Sequence, residues 1–322
     1  MPSKNLEEEL QHLRTLWSGF MASRVIMTAN NLRVFDHLVG WRSVDELKEK
    51  LKTDKRATEI LLDALTALGL LKKKKDRYKN TPLSDRFLVS SSPYYQGNII
   101  AHAENLWWSW SGLDDVLKTG KPNRTERWDL RAFILGMHDI ASLRSEEVIK
   151  RLPLRRVKKA LDLGGGPGTY SIELAKKGLE VTLFDRPEVL EIVERVINDT
   201  PYGNNIKLKP GDFMVDSFGR GYDLVFLSQV LHAYSEKDNI RLLRSIRKTL
   251  NPGGYVAVQE FYLNETRTSP LRGALFSVNM LVNTQGGRTY TSKEIRGWLK
   301  DAGFISIRAH RLGETALYIG KI

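Results

Sequence analysis

The sequence predicts an α/β protein in two parts: a helical part carrying a winged-helix pattern over residues 1–152, then a mostly parallel sheet covered on both faces over residues 153–322. Three observations carry this expectation. From Val157 onward, short β-rich runs alternate with amphipathic stretches, the pattern of strands joined by crossover helices. The first of those runs ends in Gly164-Gly165-Gly166-Pro167-Gly168, a glycine-rich turn that leads into a helix. Ahead of residue 153 the periodicity is helical, interrupted by one short hairpin.

In the first part, Leu6, Leu10, Leu13, Trp17 and Phe20 recur at three- and four-residue intervals, one stripe of a helix that needs a partner. Arg24 to Val39 reads as a second helix, Ser43-Val44-Asp45-Glu46 as the capping box of a third, and Ala57 to Leu68, closed by Gly69, as a fourth. Leu70-Leu71 and Tyr78-Lys79-Asn80 are the expected wing strands, with the run Lys72 to Lys75 in the solvated loop between them. Thr81-Pro82-Leu83-Ser84 starts a further short helix. Winged helices often read DNA, but the candidate recognition helix, Arg56 to Leu65, carries two acids and few groups able to reach base edges. A dimer scaffold is therefore expected there, and a nucleic-acid partner is not. Residues 94 to 150 add helices rich in aromatic residues, including Trp107, Trp108, Trp110, Trp128 and Phe133, most of them expected in the core.

In the second part the expected strands are Ala160 to Leu163, Val181 to Phe184, Ile206 to Leu208, Leu224 to Ser228 and Tyr255 to Gln259. Phe304 to Ala309 and Ala316 to Ile319 are close enough in sequence to form an antiparallel hairpin.

Composition narrows the chemistry. The 322 residues include 50 Lys and Arg against 38 Asp and Glu, a formal charge of +12 that is spread along the chain rather than gathered into a tail. There is no cysteine, which excludes disulfides, thiolate zinc sites and a cysteine nucleophile; no metal site is expected. No apolar run approaches the roughly 18–20 residues that span a bilayer, and the opening Met1-Pro2-Ser3-Lys4 segment has no apolar signal core, so a cytoplasmic protein is expected.

The chemistry-bearing residues stand at successive strand ends. After Asp162 the glycine turn (Gly164, Gly166, Gly168) lets backbone approach a ligand closely. The dinucleotide fingerprint fits it poorly, because Thr169 or Ser171 takes its last position and Pro167 lacks an N–H. Asp185, just after the second strand, can accept both hydroxyls of an adenosine ribose, in a nicotinamide dinucleotide as well as in an adenosyl cofactor. Gly211-Asp212-Phe213 after the third strand separates those readings: Asp212 can accept an adenine amino group and Phe213 can stack on the ring. That leaves the glycine turn facing a methionine moiety. At the end of the fourth strand His232 is aimed at the crevice, where an imidazole can take a proton from an acceptor hydroxyl. Glu260, ending the fifth strand, is the candidate orienter of that ring. Met137, His138, Trp108 and Met280 are candidate acceptor-pocket residues.

On these residues the chain resembles the plant caffeate and hydroxyindole O-methyltransferase family, which includes bacterial small-molecule enzymes. Asp162 to Gly168 match its Asp-x-Gly-Gly-Gly-x-Gly, Asp185 its ribose acid, Gly211 to Phe213 its Gly-Asp-Phe, and His232 its catalytic histidine. The resemblance implies a class I, Rossmann-like methyltransferase sheet behind a winged-helix dimerisation domain, S-adenosylmethionine as cofactor, and a homodimer that covers the opening apolar stripe. It also implies transfer to the hydroxyl of a small aromatic acceptor. Three positions depart from the family pattern: Ala233 follows the histidine where aspartate is usual, Ser228 or Gln229 stands where a cofactor-contacting Lys or Arg is usual, and Thr289 stands near the place where a second supporting glutamate is usual. The alternatives are a C-, S- or N-methyltransferase in which His232 only orients substrate, and a winged-helix regulator without turnover.

Overall fold

The structure is a computed structural model, and it describes residues 4–123 and 127–322. The chain divides into two compact units, Met1–Glu104 and Asn105–Ile322.

The first unit opens with α1 (Lys4–Asn31), a single helix where the sequence spacing predicts two. No proline interrupts residues 4–31, and the helix stops only where Arg33 takes a left-handed φ of 53°. A short strand β1 (Arg42–Ser43) leads into α2 (Val44–Leu51), whose capping box is closed as its sequence predicts: Ser43 Oγ accepts from Glu46 N and Glu46 Oε2 accepts from Ser43 N. Helix α3 (Lys55–Ala67) starts earlier than its apolar pattern, because Asp54 caps it. Strands β2 (Leu71–Lys74) and β3 (Arg77–Asn80) pair antiparallel, and β1 adds to β3 to give the order β1-β3-β2. Lys72, Lys73 and Lys74 thus lie on a strand rather than in the expected loop, and Lys73 Nζ reaches Asp63 on α3 at 2.7 Å. Helix α4 (Pro82–Phe87) follows, capped by Thr81. Val34, Phe35, Leu38, Leu47, Leu62, Leu65 and Tyr78 form the core.

Next come α5 (Gly97–Trp110), α6 (Leu113–Thr119), α7 (Leu130–Ser142) and α8 (Ser145–Ile149). The sheet-forming segment then runs β4 (Lys159–Leu163), α9 (Thr169–Lys176), β5 (Glu180–Asp185), α10 (Pro187–Asn198), β6 (Ile206–Pro210), β7 (Tyr222–Ser228) and α11 (Glu236–Arg247). It closes with β8 (Leu250–Phe261), α12 (Leu271–Asn283), α13 (Ser292–Asp301), β9 (Ile305–Leu312) and β10 (Thr315–Lys321). The sheet begins just past residue 153, while the compact unit that holds it begins at Asn105, since Ile134 of α7 and Val148 and Ile149 of α8 join the sheet core.

The strand order is β6-β5-β4-β7-β8-β10-β9. The five strands β4 to β8 are parallel; β9 and β10 pair antiparallel, as their short connection predicts, and β10 also pairs antiparallel with β8. From β4 the chain winds outward through β5 and β6, then returns to the other side for β7 and β8. That reversal opens a crevice beyond the carboxyl end of β4, the usual ligand position in such sheets. One sheet face buries Leu174, Val189 and Val193 from α9 and α10, and the other buries Leu242, Ile246, Ile295 and Trp298 from α11 and α13. Among the described residues, no helix is long and apolar enough to cross a membrane and no group of three or more His, Asp or Glu could hold a metal ion.

Candidate active site

The crevice beyond β4 has two walls. The first is made largely of backbone. Gly164 and Gly166 have φ of 68° and 50°, a region that residues with a Cβ rarely adopt. A Cβ on Gly164 would lie 3.0 Å from Val230 Cγ2 and 3.4 Å from Phe213 Cε1, so the strand end is pressed against those side chains. At Gly166 the only atom within 4 Å would be the Gly164 carbonyl oxygen, at 4.0 Å, so the turn faces open room there.

Three carboxylates shape this wall, each differently. Asp162 is 1% exposed and accepts from Ser171 Oγ at 2.7 Å, so it lies beneath the turn and ties α9 to β4. Burial pushes its pKa up to about 7. Asp185 is half-buried at the tip of β5, with Oδ2 accepting from Gly166 N and Oδ1 from Arg186 N, both at 2.8 Å. Burial raises its pKa and those two N–H donors oppose the rise. Asp212 is exposed past β6, its Oδ1 accepting from Met214 N at 2.8 Å. Beside it Phe213 is half-buried and meets Tyr234 edge-on, ring centres 5.6 Å apart. Backbone hydrogen bonds from Gly164 N to Phe184 O and from Gly211 N to Asp185 O knit the three strand ends together.

At the end of β7, Ser228 Oγ donates to Gln259 Oε1 at 3.2 Å. Gln229 has a left-handed φ of 60°, its N donates to Gln259 O, and its Oε1 is buried with no hydrogen-bond partner among the described residues. A left-handed backbone and an orphaned buried acceptor in one residue make Gln229 a candidate contact for a bound molecule. With open room at Gly166, a carboxylate at each of two strand tips and Phe213 at the rim, the residues present fit an adenosyl cofactor.

The second wall is made of side chains. His232 lies in a 3-10 turn, Leu231–Ala233, and is 9% exposed. Its Nδ1 is 2.7 Å from Glu260 Oε2, and Glu260 Oε1 accepts from the backbone N–H of Leu231 at 2.7 Å and of His232 at 3.4 Å. An ionised carboxylate can only accept, so in the neutral ring Glu260 fixes the proton on Nδ1 and leaves the lone pair on Nε2. Phe276 from α12 stands edge-on to the imidazole at 4.9 Å and 89°, with the Phe261 ring tilted against Phe276 at 4.1 Å and 41°.

The sequence does not single out Phe261 or Phe276, although Phe276 stands one helical turn before Met280, which is 7% exposed on the same side of α12. Trp108 is covered by the Arg127 guanidinium at 4.4 Å, and Met137 is half-buried on α7. His138 is bonded to the glycine-turn helix through Thr169 Oγ1 at 2.8 Å. Thr289 is 1% exposed and donates its hydroxyl to Gly273 O, so it closes the start of α12; the residue of its segment that abuts the histidine is Gly287, where a Cβ would collide with the His232 carbonyl oxygen. Carboxylate support for His232 therefore rests on Glu260.

Residues 116–305 match the O-methyltransferase domain family and residues 15–90 the O-methyltransferase dimerisation domain. The chain is 31% identical over 93% of its length, and 90% of the relative's, to 3-hydroxy-5-methyl-1-naphthoate 3-O-methyltransferase of Streptomyces sahachiroi. It is 32% identical to acetylserotonin O-methyltransferase of Gallus gallus, covering 92% of each chain. Among solved structures, human N-acetylserotonin methyltransferase in complex with S-adenosylmethionine superimposes with a TM-score of 0.90 at 27% identity, covering 100% of this chain and 99% of that one.

Proposed function

The chain belongs to the O-methyltransferase family and uses S-adenosylmethionine; on that premise we propose that it methylates the hydroxyl of a small aromatic acceptor, with His232 as general base. The observation that carries the proposal is the His232–Glu260 pair, whose bonded Nδ1 leaves Nε2 as the free acceptor. An aromatic acceptor is supported by Phe276 and Phe261 beside the imidazole, and by the relatives, whose names specify a naphthoate and acetylserotonin.

When bound, S-adenosylmethionine supplies an electrophilic methyl group. Asp185 would hold the ribose, Asp212 and Phe213 the adenine, and the Gly164–Gly168 turn would face the methionine moiety, with Gln229 Oε1 available as a further acceptor. Fixing the acceptor in line with the methyl group contributes roughly 7–11 kcal/mol to lowering the barrier. His232 Nε2 takes the hydroxyl proton, and Glu260 holds the resulting imidazolium at Nδ1, a contribution of about 10²- to 10⁴-fold. Asp162 acts from below, fixing α9 under the turn. Met280 and Met137 complete the acceptor side.

The dimerisation match supports a homodimer. We place its contact on α1, where Leu10, Leu13, Leu16, Trp17 and Met21 are between 44% and 65% exposed. The three-stranded sheet with α2 and α3 supports the winged-helix reading of this unit, with a scaffold role. The regulator alternative draws no support from the family match.

Methyl-labelled cofactor offered with a panel of small aromatic hydroxy compounds tests the reading. Label on an oxygen of one of them is the expected result; label found only on carbon, nitrogen or sulfur, or no transfer at all, overturns it.

A further inference from the structure

The helix that receives the glycine turn has an unusual start. Its N-cap position is Gly168, which has no side chain to cap α9, and Pro167 before it has no N–H. Two side-chain tethers hold the first turn instead. Ser171 Oγ is bonded to Asp162 Oδ2 at 2.7 Å, and Thr169 Oγ1 is bonded to His138 Nδ1 at 2.8 Å. The first tether is local, fixing α9 to the strand it follows. The second comes from α7, 31 residues away in sequence, and fixes the turn laterally.

Thr169 is 6% exposed, so its hydroxyl has little access to water as a substitute partner. From the geometry we infer that His138 is a positioning residue for the cofactor turn: through Thr169 it fixes the first turn of α9 and thereby the Gly164–Gly168 backbone that approaches the ligand. Its role is in cofactor affinity rather than in acceptor recognition. Burial also holds the imidazole pKa below its usual range, offset in part by neighbouring Asp139, so the ring is neutral where it meets Thr169. A neutral imidazole and a hydroxyl can bond in either direction, and each direction makes the same tether.

The inference rests on reading this wall as the S-adenosylmethionine site, and the test separates the two. Binding of S-adenosylhomocysteine is measured by calorimetry for the wild-type protein and for His138→Ala, His138→Asn, His138→Gln, Thr169→Ala and the His138→Ala/Thr169→Ala double variant. Steady-state kinetics are run with cofactor and acceptor varied separately. Wild-type protein that fails to bind removes the cofactor reading and this inference with it. With wild-type binding in place, His138→Ala and Thr169→Ala should each weaken cofactor binding and raise its KM about tenfold, the scale of one buried hydrogen bond, with kcat and the acceptor KM little changed. The double variant should lose no more than either single one, because both remove the same bond. Asn, whose amide reaches the place of Nδ1, should restore binding; Gln, whose amide reaches the place of Nε2, should not. A raised acceptor KM with unchanged cofactor binding, additive losses in the double variant, or equal behaviour of Asn and Gln would each overturn the assignment.

Discussion

The two walls of the crevice are built on different principles. On the cofactor wall the contacts are mostly backbone: Gly166 N–H, the strand-end hydrogen bonds, and carboxylates already engaged by main-chain donors. On the base wall they are side chain on side chain, a carboxylate on an imidazole with two phenyl rings around it. A backbone wall changes little when one side chain is trimmed, so loss there should appear as graded affinity. A side-chain wall has single points of failure, so loss there should appear in turnover.

The sharpest test of that contrast is His232→Ala, expected to lower kcat by about 10²- to 10⁴-fold with cofactor affinity intact, read by single-turnover kinetics beside calorimetry. A parallel fall in cofactor affinity would erase the distinction between the walls. Glu260→Gln comes next. It keeps the size of the side chain but offers the ring an amide, so that the imidazole loses its fixed tautomer and its charge partner; a loss of about 10²-fold in kcat is expected. On the cofactor wall, Asp185→Ala should weaken cofactor binding roughly 10- to 100-fold, the range for a charged hydrogen-bonding group, and leave kcat at saturation near its original value.

A smaller effect is expected from Asp162→Asn, and it concerns stability. Asp162 titrates near pH 7 in the folded chain against a reference of 3.8, so between those values the native state holds the proton more tightly than the unfolded state. Its contribution must therefore fall as pH rises from about 4 to about 7. Denaturant unfolding of the variant across that window should show less decline with pH than the wild type, and an unchanged slope would mean that the carboxyl is not held as its burial implies. The smallest effect belongs to the first unit: replacing Lys72 and Lys74 with Glu should leave turnover within about twofold, since both are exposed charges on β2.

The same contrast explains what could be read in advance. The glycine turn, Asp185 and the Asp212-Phe213 pair are each short local patterns at a strand end, so the parallel sheet and the strand ends that carry these residues were legible from spacing, whereas the strand order with its reversal at β4 was not. His232 was legible for the same reason, being four residues past a strand. Phe276 was not, because an aromatic on an apolar helix has the same pattern whether it packs in a core or stands beside a catalytic ring. The contact of His138 with Thr169 on α9 was not legible either, because its place on α7 does not announce it. Helix α1 was divided in two because periodicity registers faces and does not require a break between them.

By itself, then, the amino-acid order determined the element types, the strand-end motifs and the kind of molecule they hold, because glycine turns, caps and carboxylates act within a few residues of chain. Tertiary structure decided which partner each of these groups meets. Glu260 takes the Nδ1 of a histidine 28 residues before it, Gly287 closes over that histidine's carbonyl, and Gln229 is left with an acceptor that nothing among the described residues fills. Such pairings depend on how separate strands and helices are brought side by side, and hydrogen bonds form only at contact distance, so strand-end position could suggest Glu260 as the partner of His232 but could give neither its atom-level contact nor the contacts of Gly287 and Gln229.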